Sequence, residues 1–229
     1  AVRERIEAAR GARRVMVAGA GATGVEVALS IAGLQRRLGA PVQVDIAGPG
    51  RLLPGWPDRA ADLAEQALDA AGIAHYRVRA EGLVEGGWID GAGTERPCDL
   101  AIAATGLSAQ LPDGLDAGSD GLPVGPDLAW LDDPAVFAAG DCAHLTHAPR
   151  PKLGVFGVRA APVLIDNLIA AARGEGQRKR YDPQARWLSL MDLGDGTGLG
   201  RYGGLAHRSK AALWLKRWID ARFVRRYQP

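Results

Sequence analysis

The spacing of apolar residues changes period several times along this chain. Residues 13–19, R-R-V-M-V-A-G, read as a short buried strand. From Val25 the apolar residues of V-E-V-A-L-S-I-A-G-L-Q-R-R-L recur at helical spacing until Gly39-Ala40-Pro41 ends the run. A second strand over 42–47, the loop G-P-G-R-L-L-P-G-W-P, and a helix over 58–71 closed by Gly72 come next. Strand, helix, strand, helix is the order of a doubly wound half-domain. Residues 73–79 alternate as a third strand. Gly86-Gly87 and Gly91 mark a small hairpin excursion, and residues 100–104 return to the sheet.

Between 107 and 127 the chain is rich in Gly, Pro and Asp with little periodicity, which predicts a boundary between units. Beyond it, D-D-P-A-V-F-A-A-G-D-C-A-H at 132–144 reads as a short apolar strand ending in Gly140-Asp141, and a helix carrying Pro162 is expected over 153–172. A polar linker at 173–180 precedes a smaller third piece. The expected division is 1–115, 116–176 and 177–229. The last piece ends in a helix over 207–228 with Ala211, Trp214, Leu215, Trp218, Ile219 and Phe223 on one face and Lys216, Arg217 and Asp220 opposite.

The loop Gly19-Ala20-Gly21-Ala22-Thr23-Gly24 has a strand before it and a helix after it. In such a Gly-x-Gly-x-x-Gly run the first glycine permits a tight turn and the second lets the backbone approach a pyrophosphate. The third packs helix on strand, and the phosphate sits on the helix N-terminus. Glu26 either reaches the nicotinamide end of a dinucleotide or serves the helix dipole. No acidic residue closes the second strand: Asp45 comes two residues early and Arg51 four residues late, so NAD and NADP remain equal alternatives. Ala103-Ala104-Thr105-Gly106 places small residues where a cofactor approaches, or forms an ordinary strand-to-loop turn.

At Gly140-Asp141 a carboxylate with no side chain before it suits a ribityl or ribose hydroxyl, against the plainer reading of Asp141 as a cap. D-C-x-H-x-x-H at 141–147 offers metal-ligand types, but its spacing is poor for one tetrahedral ion, and no metal is expected. Pro151-Lys152-Leu153-Gly154-Val155 opens a helix whose free N–H groups favour negative charge on a reduced flavin, and Lys152 adds a cation there. Two dinucleotide sites in one chain point to electron transfer between them.

The 229 residues are 47% hydrophobic, enough for packed cores, and contain no uninterrupted apolar run of membrane-spanning length. Cys98 and Cys142 form no C-x-x-C pair, so neither a redox dithiol nor a metal knuckle is encoded, and a reducing, cytoplasmic setting is expected. Residues 207–229 carry seven Lys or Arg against Asp220 alone, a local +6 that leaves −4 for the rest of a +2 chain. The basic helix suits an anionic membrane surface, or packing on its own body or a second subunit. Its aromatic residues lie on the apolar face rather than among the cations, which excludes a nucleic-acid role from the expectation.

G-A-G-A-T-G-V-E at 19–26, A-A-T-G at 103–106, V-F-A-A-G-D-C-A at 136–143 and P-R-P-K-L-G-V-F-G-V-R-A-A-P-V-L at 149–164 together resemble the pyridine nucleotide-disulfide oxidoreductase superfamily. The likeness is to its type II NADH dehydrogenase-like flavoproteins, which lack a redox-active disulfide. W-L-S-L-M-D-L-G-D-G-T-G-L-G at 187–200 and W-L-K-R-W-I-D-A-R-F at 214–223 look closest to the module often fused to selenide, water dikinase. The resemblance implies an α/β fold: a doubly wound Rossmann-like NAD(P)-binding domain, the C-terminal half of an FAD-binding domain and a small C-terminal α/β piece.

By the same resemblance Gly19, Ala20, Gly21, Ala22, Thr23, Gly24, Glu26, Thr105 and Gly106 hold NAD(P)H. Gly140, Asp141, Lys152, Gly154 and Val155 line FAD. Hydride passes from the nicotinamide to the flavin and on to a quinone or other acceptor, with no catalytic side chain required. Related quinone reductases dock through C-terminal helices. The first half of the FAD domain has no counterpart here, so the chain is expected to be a fragment with impaired FAD binding. A dinucleotide-binding or sensor module without turnover is the alternative.

Overall fold

The computed structural model describes residues 14–39, 42–115, 117–176 and 178–228. They form two compact units, residues 14–106 with 186–228, and residues 107–185.

The first unit is built on a parallel sheet of β1 (Arg14–Ala18), β2 (Gln43–Ala47), β3 (Ala74–Tyr76) and β7 (Leu100–Ala103), in the order β3-β2-β1-β7. Chain order 1-2-3 running outward, with the next sheet strand returning to the other side of β1, is the doubly wound arrangement. The near-continuous apolar run of β1 is explained by burial on both faces. Val15 and Val17 pack with Val25, Leu29, Val44 and Ile46, whereas Met16 and Ala18 pack with Trp88 and Cys98. One face is covered by α1 (Ala22–Leu38) and α2 (Asp58–Ala71). The other lies under the antiparallel β4 (Ala80–Val84), β5 (Gly87–Asp90) and β6 (Glu95–Pro97), the expected excursion with one further strand. Trp88, 1% exposed, meets Tyr76 edge-on at 5.9 Å, and Arg96 lies over Tyr76 at 4.3 Å while pairing with Asp90 at 3.1 Å.

The chain from Arg186 packs with this unit, a different division from the separate piece expected over 177–229. Antiparallel β10 (Leu188–Asp192), β11 (Gly198–Tyr202) and β12 (Leu205–Ser209) lead into α4 (Lys210–Tyr227). Met191, Leu193, Leu199 and Ala206 are buried in the same core as α1 and α2. A sheet of three short strands lacks an apolar core of its own, and burial on the helices supplies it. The final helix begins three residues later than expected. Residues 207–209 complete β12, and the Ser209 hydroxyl accepts a 3.1 Å bond from the Ala212 amide, capping α4.

The second unit contains a parallel pair, β8 (Leu122–Val124) and β9 (Ala143–Leu145), and α3 (Gly154–Ala172). Leu122, Val124, Leu128, Ala138 and Ala160 form its core. Asn167, 1% exposed, ties α3 to two loops: its amide donates to the carbonyls of Asp127 and Lys179, and its oxygen accepts from the Lys179 amide. By length and composition α3 reaches what a membrane crossing requires, although its apolar run is interrupted. The run is broken by Arg159, Asp166 and Asn167, with Asn167 bonded inside the unit.

The strand expected to end at Gly140-Asp141 is reduced to a single bridge between Ala129 and Phe137. Residues Gly140–Cys142 form a 3₁₀ turn that precedes β9. Gly140 has φ 72°, outside the strand region, and this breaks the extended run before the carboxylate.

Candidate dinucleotide site

The glycine loop joins β1 to α1, which begins at Ala22 with Gly21 as its N-cap, three residues earlier than the apolar spacing indicates. Gly19 has φ 121°, and a methyl group added there would collide with the Ala104 carbonyl and stand 3.2 Å from the Thr105 nitrogen. A methyl at Gly24 would collide with the Gly19 carbonyl. Gly21 differs from both, with no atom within 4 Å of the position of an added Cβ. The outer glycines close the turn, and the middle one leaves open space in front of the helix.

The first intrahelical bond of α1 runs from the Val25 amide to the Gly21 carbonyl at 3.0 Å. The amides of Gly21, Ala22, Thr23 and Gly24 therefore have no helical acceptor and, with the helix dipole, suit an anion. No acidic residue stands in this first turn. The loop is held from behind, where Gly19 donates to the Ala47 carbonyl at 2.7 Å and the Ala20 carbonyl accepts from Leu53 at 2.8 Å. Thr105 and Gly106 are exposed, and Thr105 begins the strand-to-loop turn against Gly19.

Glu26 has a task that neither sequence alternative contains. Its carboxylate accepts the Asp192 amide at 2.8 Å and lies 3.3 Å from the Lys216 ammonium, so it fastens α1 to the C-terminal strands and helix. Burial works against the Lys216 charge, yet Glu26 and Asp220 overcome it and raise its pKa.

Asp45 is 7% exposed, in mid-strand, with a 3.4 Å bond from Gln43 and its pKa raised by burial. Arg51 sits in the loop after β2, paired with Asp58 at 2.7 Å and also with Asp62.

In the second unit Gly140 approaches Gly157, the third residue after the start of α3, and a Cβ at Gly157 would stand 3.1 Å from the Gly140 Cα. The Asp141 carboxylate is exposed and has no partner among the described residues. Lys152 turns inward and donates to the carbonyls of Asp120 at 2.7 Å and Ala143 at 3.3 Å. That ammonium braces two chain segments, which accounts for a cation at the start of a helix. Gly154 is exposed and Val155 half-buried, at the open end of α3. Gly140, Asp141, Lys152 and Phe156 line a cleft of about 20 Å³, room for one water rather than for a ring system. The His147 ring nitrogen is 3.0 Å from the Tyr181 carbonyl and the Cys142 thiol donates to Ala139, so the side chains of 141–147 diverge.

The faces of α4 are those the spacing indicates, and their orientation is the reverse of ordinary packing. Lys216 and Arg217 meet Glu26 and Asp192 of the body, and Leu213 is the buried apolar contact. Trp214, Trp218, Ile219 and Phe223 point outward, 67%, 45%, 38% and 47% exposed. Arg222 lies over the Trp218 ring at 5.6 Å.

The profile of the pyridine nucleotide-disulphide oxidoreductase family matches residues 1–163. A probable ferredoxin reductase of Castellaniella defragrans, CtmF, is 30% identical over 189 residues, which is 77% of this chain and 44% of that protein. The ferredoxin reductase for the CYP199A2 system of Rhodopseudomonas palustris superposes with a TM-score of 0.62 at 25% identity, over 87% of this chain and 48% of its own. The reduced CoADR-RHD protein of Bacillus anthracis shares the fold, with a TM-score of 0.66 at 18% identity over 87% of this chain and 36% of its own. This chain thus spans less than half the length of these relatives.

Proposed function

The chain belongs to the pyridine nucleotide-disulphide oxidoreductase family, and on that premise we propose that it serves as a flavin-linked, pyridine nucleotide-dependent oxidoreductase. One observation carries the reading: Gly19 and Gly24 are fixed by backbone contact while Gly21, the N-cap of α1, faces open space. A dinucleotide pyrophosphate laid there meets the free amides of residues 21–24 and the positive end of the helix. Thr105 and Gly106 border the same turn and position the rest of the cofactor. The reduced nicotinamide supplies hydride when bound, and FAD receives it.

The protein's own part is placement. In the second unit the exposed Asp141 carboxylate is available to a flavin-side hydroxyl, and the first amides of α3 at Gly154 and Val155 face anionic character. Lys152 acts there indirectly, by holding the Ala143 and Asp120 segments in place. The 20 Å³ cleft is too small for a flavin ring, which supports impaired flavin binding by this chain alone. The experiment is anaerobic addition of NADH or NADPH to the chain supplied with FAD. Bleaching of the flavin absorbance is expected, and binding without bleaching would favour a non-catalytic dinucleotide module.

For the acceptor, the ferredoxin reductases among the relatives favour a ferredoxin-like electron carrier over a quinone. The type II NADH dehydrogenase-like subgroup and a link to selenide chemistry rest on motif likeness alone. A cytoplasmic setting rests on the unpaired cysteines. The outward apolar face of α4, with Arg222 and Arg225 beside its tryptophans, supports peripheral docking through that helix, to a membrane or a second copy. Liposome co-sedimentation together with sedimentation velocity separates the two.

A further inference from the structure

We propose that the first unit carries a second ligand site, for a small organic molecule bearing a phosphate or carboxylate oxyanion. The site is a space of about 630 Å³ where Arg36 and Arg37 of α1, the end of α2, the β10–β11 turn and Arg217 of α4 come together. It is an open groove rather than an enclosed pocket, with Arg36, Arg37, Ala70, Asp195 and Arg217 exposed to solvent, so a ligand there is only partly covered. It lies toward the far end of α1 from the glycine loop, with Ser30 about 12 Å and Arg37 about 22 Å along the helix from Ala22. The inference is independent of the dinucleotide reading.

The charges on the wall do not cancel. Asp192 is occupied by the Gly194 amide at 2.8 Å and Arg217 at 3.3 Å. Asp195 is occupied by the Thr197 amide at 2.8 Å, the Thr197 hydroxyl at 2.6 Å and the Arg208 guanidinium. Both carboxylates have their partners within the fold. Arg36 makes only a 3.4 Å bond to the Gly194 carbonyl, and Arg37 has no partner among the described residues. Two arginines of α1 with no carboxylate partner among the described residues thus line one groove, and planar guanidinium groups suit an oxyanion bidentately.

Their place in the last turn of α1 accounts for cations there through the helix dipole. It does not account for a groove of this size between that turn, the end of α2 and the β10–β11 turn. The opposite wall is small and apolar, with Ala67, Ala70 and Ala71 from α2. Gly33 admits no larger residue, because a methyl there would collide with the Gly194 carbonyl. The floor is therefore shaped by backbone contact, and the groove leaves room beside an oxyanion for the carbon body of a ligand.

The test is calorimetric titration, at constant ionic strength, of pyrophosphate and of succinate into the chain with Gly21→Ala, which silences the glycine loop. Binding of at least one probe is expected, and which one binds tells phosphate from carboxylate. In the same background Arg36→Gln/Arg37→Gln should weaken that binding at least tenfold. Arg36→Lys/Arg37→Lys should weaken it by a smaller factor, because the charge stays and the fork is lost. Neither probe binding, or equal binding by the Gln double variant with an unchanged unfolding midpoint, would overturn the site. NADH affinity of the double variant on the wild-type loop should stay within twofold, which keeps this result separate from the fate of the dinucleotide site.

Discussion

The carboxylate of Glu26 and the ammonium of Lys216 lie 3.3 Å apart, and this pair joins the first described helix, α1, to the last, α4. Both side chains are mostly buried, 29% and 22% exposed, so the interaction is screened less than a surface ion pair. Glu26 therefore belongs to the architecture of the first unit. Its position two residues past the glycine loop is consistent with this, since α1 presents its loop end to the ligand space and its flank to β10.

Glu26→Gln keeps an acceptor for the Asp192 amide and removes the charge. The expected loss is about 1–2 kcal/mol in urea unfolding, with NADH affinity unchanged within twofold. A large drop in affinity with little change in stability would return Glu26 to the nucleotide.

Lys216 gives this pair a pH signature. Its folded pKa is raised above the ordinary 10.5, so the stabilisation is complete below that value and is lost as pH rises through the higher folded value. The stability difference between the native chain and Lys216→Met should be constant from neutral pH to about pH 10 and shrink in stronger alkali. Asp45 behaves in the opposite sense. Burial raises its pKa from 3.8, so the folded state holds the proton more tightly and loses stability as pH climbs from 3.8 through the folded value. Asp45→Asn should stabilise the chain at pH 7, with the gain vanishing below pH 3.8.

Much of the first unit was legible because its signals are local. The apolar run of β1, the glycine loop and the helix ended by Gly72 each lie within twenty residues, and α2 runs over the 58–71 that the spacing indicates. What escaped depends on distant partners. The Glu26 bond to Asp192, the inward turn of Lys152 to carbonyls, and the packing of β10–β12 on α1 and α2 have no sequence signature. The faces of α4 were readable and their orientation was not, since an apolar stripe ordinarily marks the buried side. Gly140-Asp141 read as a strand end because V-F-A-A is apolar, and the left-handed backbone at Gly140 makes it a 3₁₀ turn.

The outer and middle glycines of the loop should separate stability from binding. Gly24→Ala forces a methyl into the Gly19 carbonyl and should cost about 1–3 kcal/mol. Gly21→Ala meets no atom and should cost about 0.5–1 kcal/mol as a poorer N-cap, while blocking the close approach of a pyrophosphate. Urea unfolding of both variants, alongside the native chain, checks the contrast.

Arg51 bears on the choice of cofactor. Its guanidinium is paired with Asp58 and Asp62, so a 2′-phosphate reaching this loop would meet two carboxylates. NADH should bind more tightly than NADPH, and Asp58→Asn/Asp62→Asn should improve NADPH binding at least threefold with NADH little changed. Paired fluorescence titrations with the two nucleotides check this.

The most direct measurement of the central claim is calorimetric titration of NADH into the native chain and into Gly21→Ala. Saturable one-to-one binding by the native chain, weakened at least tenfold by a folded Gly21→Ala variant, is the expected result. No binding by a folded native chain, or equal binding by both, would contradict the assignment of residues 19–24 as the dinucleotide cradle.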